Sequence, residues 1–397
     1  MYNAAMPKLT AFPRIVLLIA LAVSTASAKD QFTPVVVSAL TSTATPVLGT
    51  DNQQHIVYEL IITNTNATPA TLNKVSVLDA SNPSDVIATF EGTNLLSRLR
   101  MTIGGTSKSS VIEQGSTRLF LIDISLPADA VIPSRLVHRL DLLAGPGPAP
   151  EPAVAMDYVA APISISRALR VIGPPLRGQH WVDTNGCCEP RGAHRAAGLA
   201  MNGGIYYAQR FAIDWMQLDS EGRLVHGDSA DVNNYTCYGA DILAVADGTV
   251  IATQKDLDNQ KPGTLPDPKT ITVENVDGNH VILDLGGGVY AFYAHMQKDG
   301  VLVHLGDHVK RGQVLGKLGN TGNTSAPHLH FQLMDGPSAL GAQGLPYIID
   351  SFQLAGEVNK AQFDAAPGIE GDWSKGLLPM PSERQKQFPM DLNIVNF

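Results

Sequence analysis

The sequence is short of positive charge and of aromatic side chains. Charged residues make up 16% of its 397 residues, and the formal net charge is −9. Because phosphate binding needs a concentrated basic face, this deficit argues against a nucleic-acid partner. Aromatic residues make up only 6%, whereas glycine (36) and proline (26) are plentiful, which is typical of many short strands and turns. The hydrophobic fraction of 44% argues against disorder and indicates a globular protein.

Cysteine is also scarce, with three residues at Cys187, Cys188 and Cys237. Their spacing contains no Cys-x-x-Cys pair, which argues against a cysteine-rich zinc site. In an oxidising compartment they could form a disulfide. Because three is an odd number, either one thiol is left over or the adjacent pair bridges itself, and the sequence does not choose between these.

Long apolar runs are missing beyond the N-terminus, so we expect no membrane span in the mature protein. At the N-terminus Lys8 and Arg14 precede a short apolar run over residues 15–23, and small residues follow at 26–28. This layout predicts a secretory signal peptide over residues 1–28 and a secreted or periplasmic protein. An uncleaved anchor or a buried helix is the alternative, but the apolar run is short for a span.

The length predicts two folded domains, separated by a proline-rich segment. Residues 29–144 contain short stretches of alternating apolar and polar residues bounded by turn residues, which predict an immunoglobulin-like β-sandwich acting as a spacer or binding module. Residues 145–162, rich in proline, glycine and alanine, predict a linker. Short strands resume over residues 163–355, and the polar segment 356–397 is expected to be a tail wrapped on the surface.

Histidine is concentrated in the second half, where eight of the 11 histidines lie beyond residue 190. Alternate residues of a strand point to the same face, so His328 and His330 should project side by side. Two such imidazoles can share a metal, or one can bind it while its neighbour transfers protons. His295 ends an apolar strand, and Asp214 lies within another. An unpaired carboxylate there would be costly, so a metal or an arginine should lie near Asp214.

Six sequence blocks follow one another in a distinctive order. They are Phe211–Asp214, Ala244–Val250, Tyr293–His295, Val309–Gly316, Gly319–Asn323 and Pro327–Phe331. In this order they resemble the lysostaphin-type zinc endopeptidases, which cleave peptide cross-bridges in peptidoglycan. The resemblance implies a lysostaphin-type antiparallel β-sheet peptidase domain. Together with the immunoglobulin-like β-sandwich that the strand patterns predict before it, this makes the expected fold class all-β. It also implies a Zn²⁺ cofactor and peptidoglycan peptides as substrate.

The resemblance further implies roles for single residues. Asp214 and His330 would be metal ligands, and His295 and His328 would be the catalytic pair. The family's first zinc-binding histidine stands four residues before the aspartate, where this chain has Arg210. A guanidinium stays protonated and offers no lone pair, so Arg210 cannot be a ligand. Two ligands fall short of the three that a catalytic zinc site normally takes from the protein.

Three explanations of this departure stay open. Another histidine could supply the third ligand; His194 is the preferred candidate, because it lies shortly before the Asp214 strand, and His226 is the second. Alternatively, Arg210 could pair with Asp214 in a metal-free site, or a changed ligand set could serve another metal or a weaker enzyme. The segment around His194 and its neighbouring arginine also resembles a subset of the family. His280 is expected near the rim of the site.

Three functions are therefore compared. The leading hypothesis is an exported zinc endopeptidase acting on peptidoglycan peptides, supported by the histidines that match the family. The second is a metal-free member of the same fold that binds wall peptides or regulates a partner cell-wall hydrolase, and Arg210 favours it. A carrier domain for biotin or lipoate is a weaker third reading. Lys310 and Lys317 lack the setting of a modified lysine, and the histidine cluster would go unexplained.

Overall fold

The computed structural model describes Met1 and residues 30–102, 105–365 and 369–397. The predicted signal peptide, apart from Met1, lies outside the described residues. The chain divides into two units, Met1–Phe32 and Thr33–Phe397, and the second holds every strand and helix given below. In the part of the chain that is described, no helix is both long and apolar enough to cross a membrane.

The N-terminal part of the second unit is a sandwich of a five-stranded and a six-stranded sheet. The strand orders are β1-β4-β9-β7, with β3 on β4, and β2-β11-β10-β5-β6, with β8 on β5. The elements are β1 Val35–Ala39, β2 Thr43–Ala44, β3 Val47–Leu48, β4 Gln53–Asn64, β5 Ala70–Asp79, β6 Asn82–Glu91, α1 Gly92–Arg98, β7 Leu99–Met101, β8 Val111–Ile112, β9 Thr117–Pro127, β10 Arg135–Ala144 and β11 Val154–Ile165.

Period-two burial explains how these strands form a shared core. In β10 every second residue from Leu136 to Ala144 is buried, while the residues between them are more exposed. Such alternation places one face of the strand in the core and the other toward solvent. Buried residues of both sheets, including Tyr58 of β4 and Leu140 of β10, belong to the same hydrophobic cluster. The predicted two-sheet sandwich is present, and its immunoglobulin type stays a prediction.

The predicted linker differs from the structure. Residues 154–162 belong to β11, which pairs antiparallel with β10 from Ala144↔Val154 to Arg135↔Ser164. Only residues 145–153, which hold four of the five prolines of the predicted linker, are connecting chain. The fifth, Pro162, lies within β11 at a shift of the β10–β11 register, where a strand tolerates proline. The apolar alternation of β11, with Tyr158 and Ile163 buried, is a strand signal that the composition of its neighbours hid.

The second part of the unit is built on a 14-stranded sheet and a two-stranded one, β14-β15. The main strand order is β12-β25-β27-β13-β16-β23-β20-β19-β18-β21, with β24 on β23, β26 on β25, and β17 and β22 paired beside β20. The strands are β12 Arg170–Ile172, β13 Trp181–Thr184, β14 Leu199–Met201, β15 Gly204–Tyr206, β16 Ile213–Gln217, β17 Asp241–Leu243, β18 Gly248–Gln254, β19 Asn279–Asp284, β20 Tyr290–Val301, β21 His308–Val309, β22 Val314–Leu318, β23 Leu329–Met334, β24 Gly344–Leu345, β25 Tyr347–Glu357, β26 Leu377–Gln387 and β27 Asn393–Asn396. Helix α2 spans Lys360–Ala365, and short 3₁₀ turns span Val232–Asn234, Pro268–Thr270 and Ser374–Gly376.

The C-terminal segment is not the surface tail that its composition predicts. Strand β27 lies between β25 and β13 in the middle of the sheet, and Ile394 and Val395 are fully buried. Its four residues complete the hydrogen bonding of both neighbouring strands. The sequence before Asn393 is polar and rich in turn residues, so this short apolar strand is not evident from composition. It forms because it pairs with β13 and β25 in the folded protein.

The open cysteine question also has an answer. Cys187 and Cys188 form a disulfide, and Cys237 is a buried free thiol. The Cys237 thiol donates a hydrogen bond to the Pro327 carbonyl at 3.1 Å, directly before His328.

Candidate metal centre

Three neighbouring antiparallel strands bring the predicted site residues together. Asp214 of β16 lies opposite His330 of β23, which in turn lies opposite Ala294 of β20. His295 follows Ala294, and His328 stands two residues before His330. Because alternate residues share a face, both histidines of the His-x-His pair point to the side of the sheet where Asp214 lies.

Asp214 is the centre that three imidazoles share. The Oδ1 atom of Asp214 is 2.9 Å from Nδ1 of His330 and 3.3 Å from Nε2 of His328. The Oδ2 atom is 3.3 Å from Nε2 of His194 and accepts a hydrogen bond from the Asn185 side-chain amide at 2.8 Å. A buried carboxylate requires a partner, and Asp214 has three imidazoles in that role.

Each of the four histidines is held by its second ring nitrogen. His194, His295 and His328 donate from Nδ1 to the carbonyls of Ala212, Thr321 and Ala326, at 3.1, 2.7 and 2.8 Å. His330 is held through Nε2 instead of Nδ1, since its Nε2 lies 3.0 Å from Oε1 of Gln332. A carbonyl oxygen can only accept, so the ring nitrogen that contacts it must carry a hydrogen. When the ring is neutral, its other nitrogen therefore has a free lone pair, and that nitrogen is on the side of the site.

The donor set fits a divalent zinc ion. One ligand atom each of His194, Asp214 and His330 lies within 4.8 Å of the other two. Two imidazoles and one carboxylate match the three protein ligands of catalytic zinc sites, and anchored second ring nitrogens are typical of metal-ligating histidines. A second group of potential donors, His55, Asp123 and Cys188, fits poorly, since the Cys188 sulfur is in the disulfide and offers no thiolate.

The charges of the site reinforce one another when no metal is bound. Burial alone would raise the pKa of Asp214, but the imidazoles of His194 and His328 hold it well below its usual 3.8. Burial lowers the pKa of His194 and His328, and the Asp214 carboxylate outweighs this, so the pKa of each is raised. His295 is different, because burial and the neighbouring His328 and His330 hold its pKa well below 6.5. His295 is therefore a neutral base at pH 7.

A kink in β20 aims His295 at the site. Its φ is +62°, in the left-handed region that residues other than glycine rarely adopt. The register of β19 against β20 shifts between Asn279 and Val281, beside this position. Such bulges and strained residues are over-represented next to active sites, because they re-aim a side chain. The His295 ring lies 4.7 Å from that of His328, centroid to centroid.

The site opens into a groove with a mostly neutral lining. Apart from Asp214 and the histidines, the described residues that line it carry no charged side chain. Polar walls come from Asn185, Gln209 and Asn323, and apolar ones from Met216 and Leu265. A groove of this kind suits an uncharged backbone segment lying across the imidazoles.

Arg210 does not pair with Asp214, so that explanation of the departure is wrong. Arg210 lies in a turn before β16, where its N–H donates to the Tyr207 carbonyl, and its guanidinium contacts Glu59 of the sandwich. A same-face relation to Asp214 would require a continuous strand, but β16 begins only at Ile213.

The remaining predicted neighbours lie away from the centre. His226 pairs with Asp219 and has 52% of its side chain exposed, so the structure does not place it with Asp214. His280 donates from Nδ1 to the Gly278 carbonyl at 2.9 Å, and its ring is 5.7 Å from Phe292. Phe292 in turn packs against His330 at 5.9 Å. His280 therefore lies behind the site, one side chain removed.

Some residues of the site carry no signal in the sequence. Asn185 and Gln332 hold Asp214 and His330, yet both are ordinary polar residues outside the six sequence blocks. Thr321 lies within one of those blocks, but nothing in the block indicates that its carbonyl holds His295. Asp277 is a further case: burial raises the pKa of its carboxyl to about 6, and it lines a small cavity together with His295 and His330. Only the folded sheet brings these groups together.

Comparison with known proteins places this domain in a family. The model of peptidase family M23 matches residues 231–341. Peptidoglycan DD-endopeptidase ShyA of Vibrio cholerae is 42% identical over 57 residues, which are 14% of this chain and 13% of that protein. Lysostaphin of Staphylococcus simulans is 48% identical over 58 residues, 14% of this chain and 11% of that protein. The chain thus matches only a small share of the length of these curated relatives.

Solved structures were compared as well. The catalytic domain of lysostaphin from Staphylococcus simulans aligns with 37% of this chain and 80% of its own, at 26% identity and a TM-score of 0.22. A putative M23 peptidase from Pseudomonas aeruginosa aligns with 65% of this chain and 87% of its own, at 18% identity and a TM-score of 0.24. The sequence match and the ordered motifs together show that this chain carries a lysostaphin-type domain of peptidase family M23.

Proposed function

We propose that this protein is an exported, zinc-dependent endopeptidase that hydrolyses peptide bonds in peptidoglycan cross-links. The observation that carries the proposal is the clustering of His194, Asp214 and His330 within 4.8 Å, directly beside His295 and His328. The M23 domain and the relatives named as a peptidoglycan endopeptidase and as lysostaphin support the substrate class. A protein with this substrate must reach the cell wall, in agreement with the signal peptide that the sequence predicts.

The chain divides the chemistry between two groups of side chains. His194, Asp214 and His330 would hold the zinc ion, which supplies a Lewis acid that polarises the scissile carbonyl and lowers the pKa of water toward about 7. His295 is kept neutral by burial and by the neighbouring imidazoles, so its free Nε2 can accept the proton of the attacking water. His328 stands beside Asp214 with its Nδ1 held by the Ala326 carbonyl, so in its protonated form its Nε2 could donate to negative charge developing on the substrate oxygen.

The groove fixes how the substrate lies. Asn185 and Asn323 offer side-chain amides at its walls, and backbone of an extended peptide can pair with such groups. Apart from Asp214 and the histidines, which the zinc site and the proton transfer would use, the described lining residues include no charged side chain that could select a charged substrate side chain. The groove therefore favours small or neutral residues around the scissile bond.

The zinc content of the purified protein, measured by elemental analysis with and without added zinc, tests the proposal together with peptide release from isolated peptidoglycan. We expect about one zinc per chain in the wild type, normal content in His226→Ala, and loss of both zinc and hydrolysis in His194→Ala. His226 is the matched control, because it contacts Asp219 rather than Asp214. Zinc retained by His194→Ala would remove His194 from the ligand set. A wild type that takes up no zinc would overturn the hydrolase and leave a metal-free module binding wall peptides or a partner hydrolase.

A further inference from the structure

A buried ion cluster joins the N-terminal sandwich to the chain segments that carry His194 and Asp214. Its centre is Glu59 of β4, which is fully buried. The Arg195 guanidinium donates from Nη1 to Oε1 of Glu59 at 2.6 Å. The Arg210 guanidinium donates from Nε to Oε1 at 2.9 Å and from Nη2 to Oε2 at 2.5 Å. Both arginines belong to the part of the chain that follows the sandwich, and both are buried.

Arg195 inserts into the sandwich rather than resting against it. Its Nη2 also donates to the backbone carbonyls of Tyr58 and Ile122, at 3.0 and 3.1 Å. These two residues are register partners on the paired strands β4 and β9. A guanidinium holds several acceptors in a fixed planar geometry, so these contacts determine where the backbone at Arg195 lies.

Arg210 holds the other segment from the same carboxylate. Its Nη1 donates to the Gly344 carbonyl at 2.9 Å, and its Nη2 contacts Oε1 of Gln343 at 3.1 Å. The turn that contains Arg210 leads into β16 and therefore sets the approach of the strand that bears Asp214. Apolar packing covers this turn from the sandwich side, because Leu119 and Leu121 of β9 form a cluster with Tyr207.

The residue next to Arg195 is His194, which does not belong to a strand or a helix. The chain between β13 and β14 is irregular, with only short-range turns around His194. The His194 ring is oriented by its hydrogen bond to the carbonyl of Ala212, two residues after Arg210. Both ends of that hydrogen bond are thus anchored within two residues by an arginine bound to Glu59.

We infer that the sandwich positions a ligand of the metal centre. Glu59 is the positioning residue: by binding Arg195 and Arg210, it places His194 against Asp214. The inference rests on the proposed zinc site. It also explains the arginine at position 210: the guanidinium that cannot bind metal there anchors the strand, and the third ligand comes from a loop that the sandwich holds. The affinity of the site for zinc should then depend on the Glu59 carboxylate, which lies in the sandwich and does not touch the metal ligands.

The zinc affinity of the full chain, measured by competition with a chromogenic chelator, tests this with Glu59→Gln. We expect roughly 10- to 100-fold weaker zinc binding, the range found when groups that orient metal ligands are removed. The visible absorption of the cobalt-substituted protein should change as well, because it reports the arrangement of the ligands and a general loss of stability would leave it unaltered.

Tyr58→Phe is the matched control. It removes a buried hydrogen bond between Tyr58 Oη and His138 Nε2, 2.8 Å long, and leaves the Tyr58 carbonyl that Arg195 uses. It therefore weakens the sandwich core without disturbing the anchor, and wild-type zinc affinity and cobalt spectrum are expected. Should Glu59→Gln not fold, Arg195→Gln carries the test, since it keeps the Glu59–Arg210 pair; the same loss of affinity is expected.

The outcomes separate this inference from the proposed function. Wild-type affinity and cobalt spectrum in Glu59→Gln, or in Arg195→Gln where that variant carries the test, would overturn the positioning role and leave the zinc site intact. Equal loss of affinity in Tyr58→Phe would overturn it too, because any weakening of the sandwich would then suffice. A wild-type chain that binds no zinc would overturn the proposed function itself and this inference with it.

Discussion

The four histidines of the site differ in what their free nitrogens face. His194 and His330 present a nitrogen to Asp214 within the group that could hold a metal, while His328 lies 3.3 Å from the same carboxylate but outside that group. The His295 ring lies 4.7 Å from the ring of His328 and 6.0 Å from that of His330, centroid to centroid. Ligand and proton-transfer roles can thus be separated by substitution, although the four rings are packed together.

Replacing His330 and His328 by alanine should have different consequences. His330→Ala removes one of three ligands, so both zinc and hydrolysis should be lost. His328→Ala leaves His194, Asp214 and His330 in place, so zinc should stay while kcat falls by roughly 10²- to 10⁴-fold. Elemental analysis and a peptide-release assay on the same preparations measure both quantities. Loss of zinc in His328→Ala would show that His328 is a ligand and that the assignment above is incorrect.

At the scale of the element, the short last strand is the least expected part of the sheet. Strand β27 pairs with both β13 and β25, and β13 in turn pairs with the Asp214 strand β16. The aromatic ring of Phe397 packs at 5.2 Å against Trp215 of β16. The C-terminus therefore supports the strand that bears a candidate ligand from the side opposite β23.

Ile394→Ala should lower the free energy of unfolding by about 2–5 kcal/mol, because Ile394 is fully buried and its removal leaves a cavity. Met380→Ala on β26 is the control: that side chain is 81% exposed, and a change within about 0.5 kcal/mol is expected. Denaturant unfolding of both variants measures the difference. Equal effects would mean that the C-terminal segment lies on the surface after all, as its composition suggested.

At the scale of the whole molecule, one buried carboxylate links the sandwich to the 14-stranded sheet that carries the site. Burial alone would raise the pKa of Glu59, but Arg210 and Arg195 outweigh it and hold this pKa below its usual 4.5. A carboxyl whose pKa is lowered by folding stabilises the folded state above its unfolded pKa. That contribution is lost as the pH falls through the lower, folded pKa.

Glu59→Gln should therefore be most destabilising near neutral pH. Leaving two buried guanidinium groups without their carboxylate costs roughly 3–5 kcal/mol. The difference from wild type should be constant above about pH 4.5, the unfolded pKa, and shrink below it, as Glu59 itself becomes protonated. Urea unfolding of both proteins across this pH range gives the measurement. A difference that stays unchanged in acid would mean that Glu59 is not ionised in the folded protein.

Much of this protein could be predicted from local sequence. The all-β class and the M23 domain are confirmed, because turn residues, period-two alternation and the order of short motifs are local properties. His328 and His330 were expected on one face since strand geometry requires it, and the carboxylate of Asp214 was expected to have a partner since burial requires one. The ligand and catalytic roles of these residues stay predictions.

Other features were decided only by tertiary structure. The sequence allowed His194 or His226 beside Asp214, and the packing of an irregular loop brought only the first there. Arg210 has its partner 151 residues away at Glu59, on a strand of the sandwich. Period and composition describe the neighbourhood of a residue along the chain, whereas a buried charge is matched to whatever the folded sheets bring against it. The sequence by itself thus determined which groups needed partners, and the packing of the sandwich and the loops against the large sheet determined which partners they received.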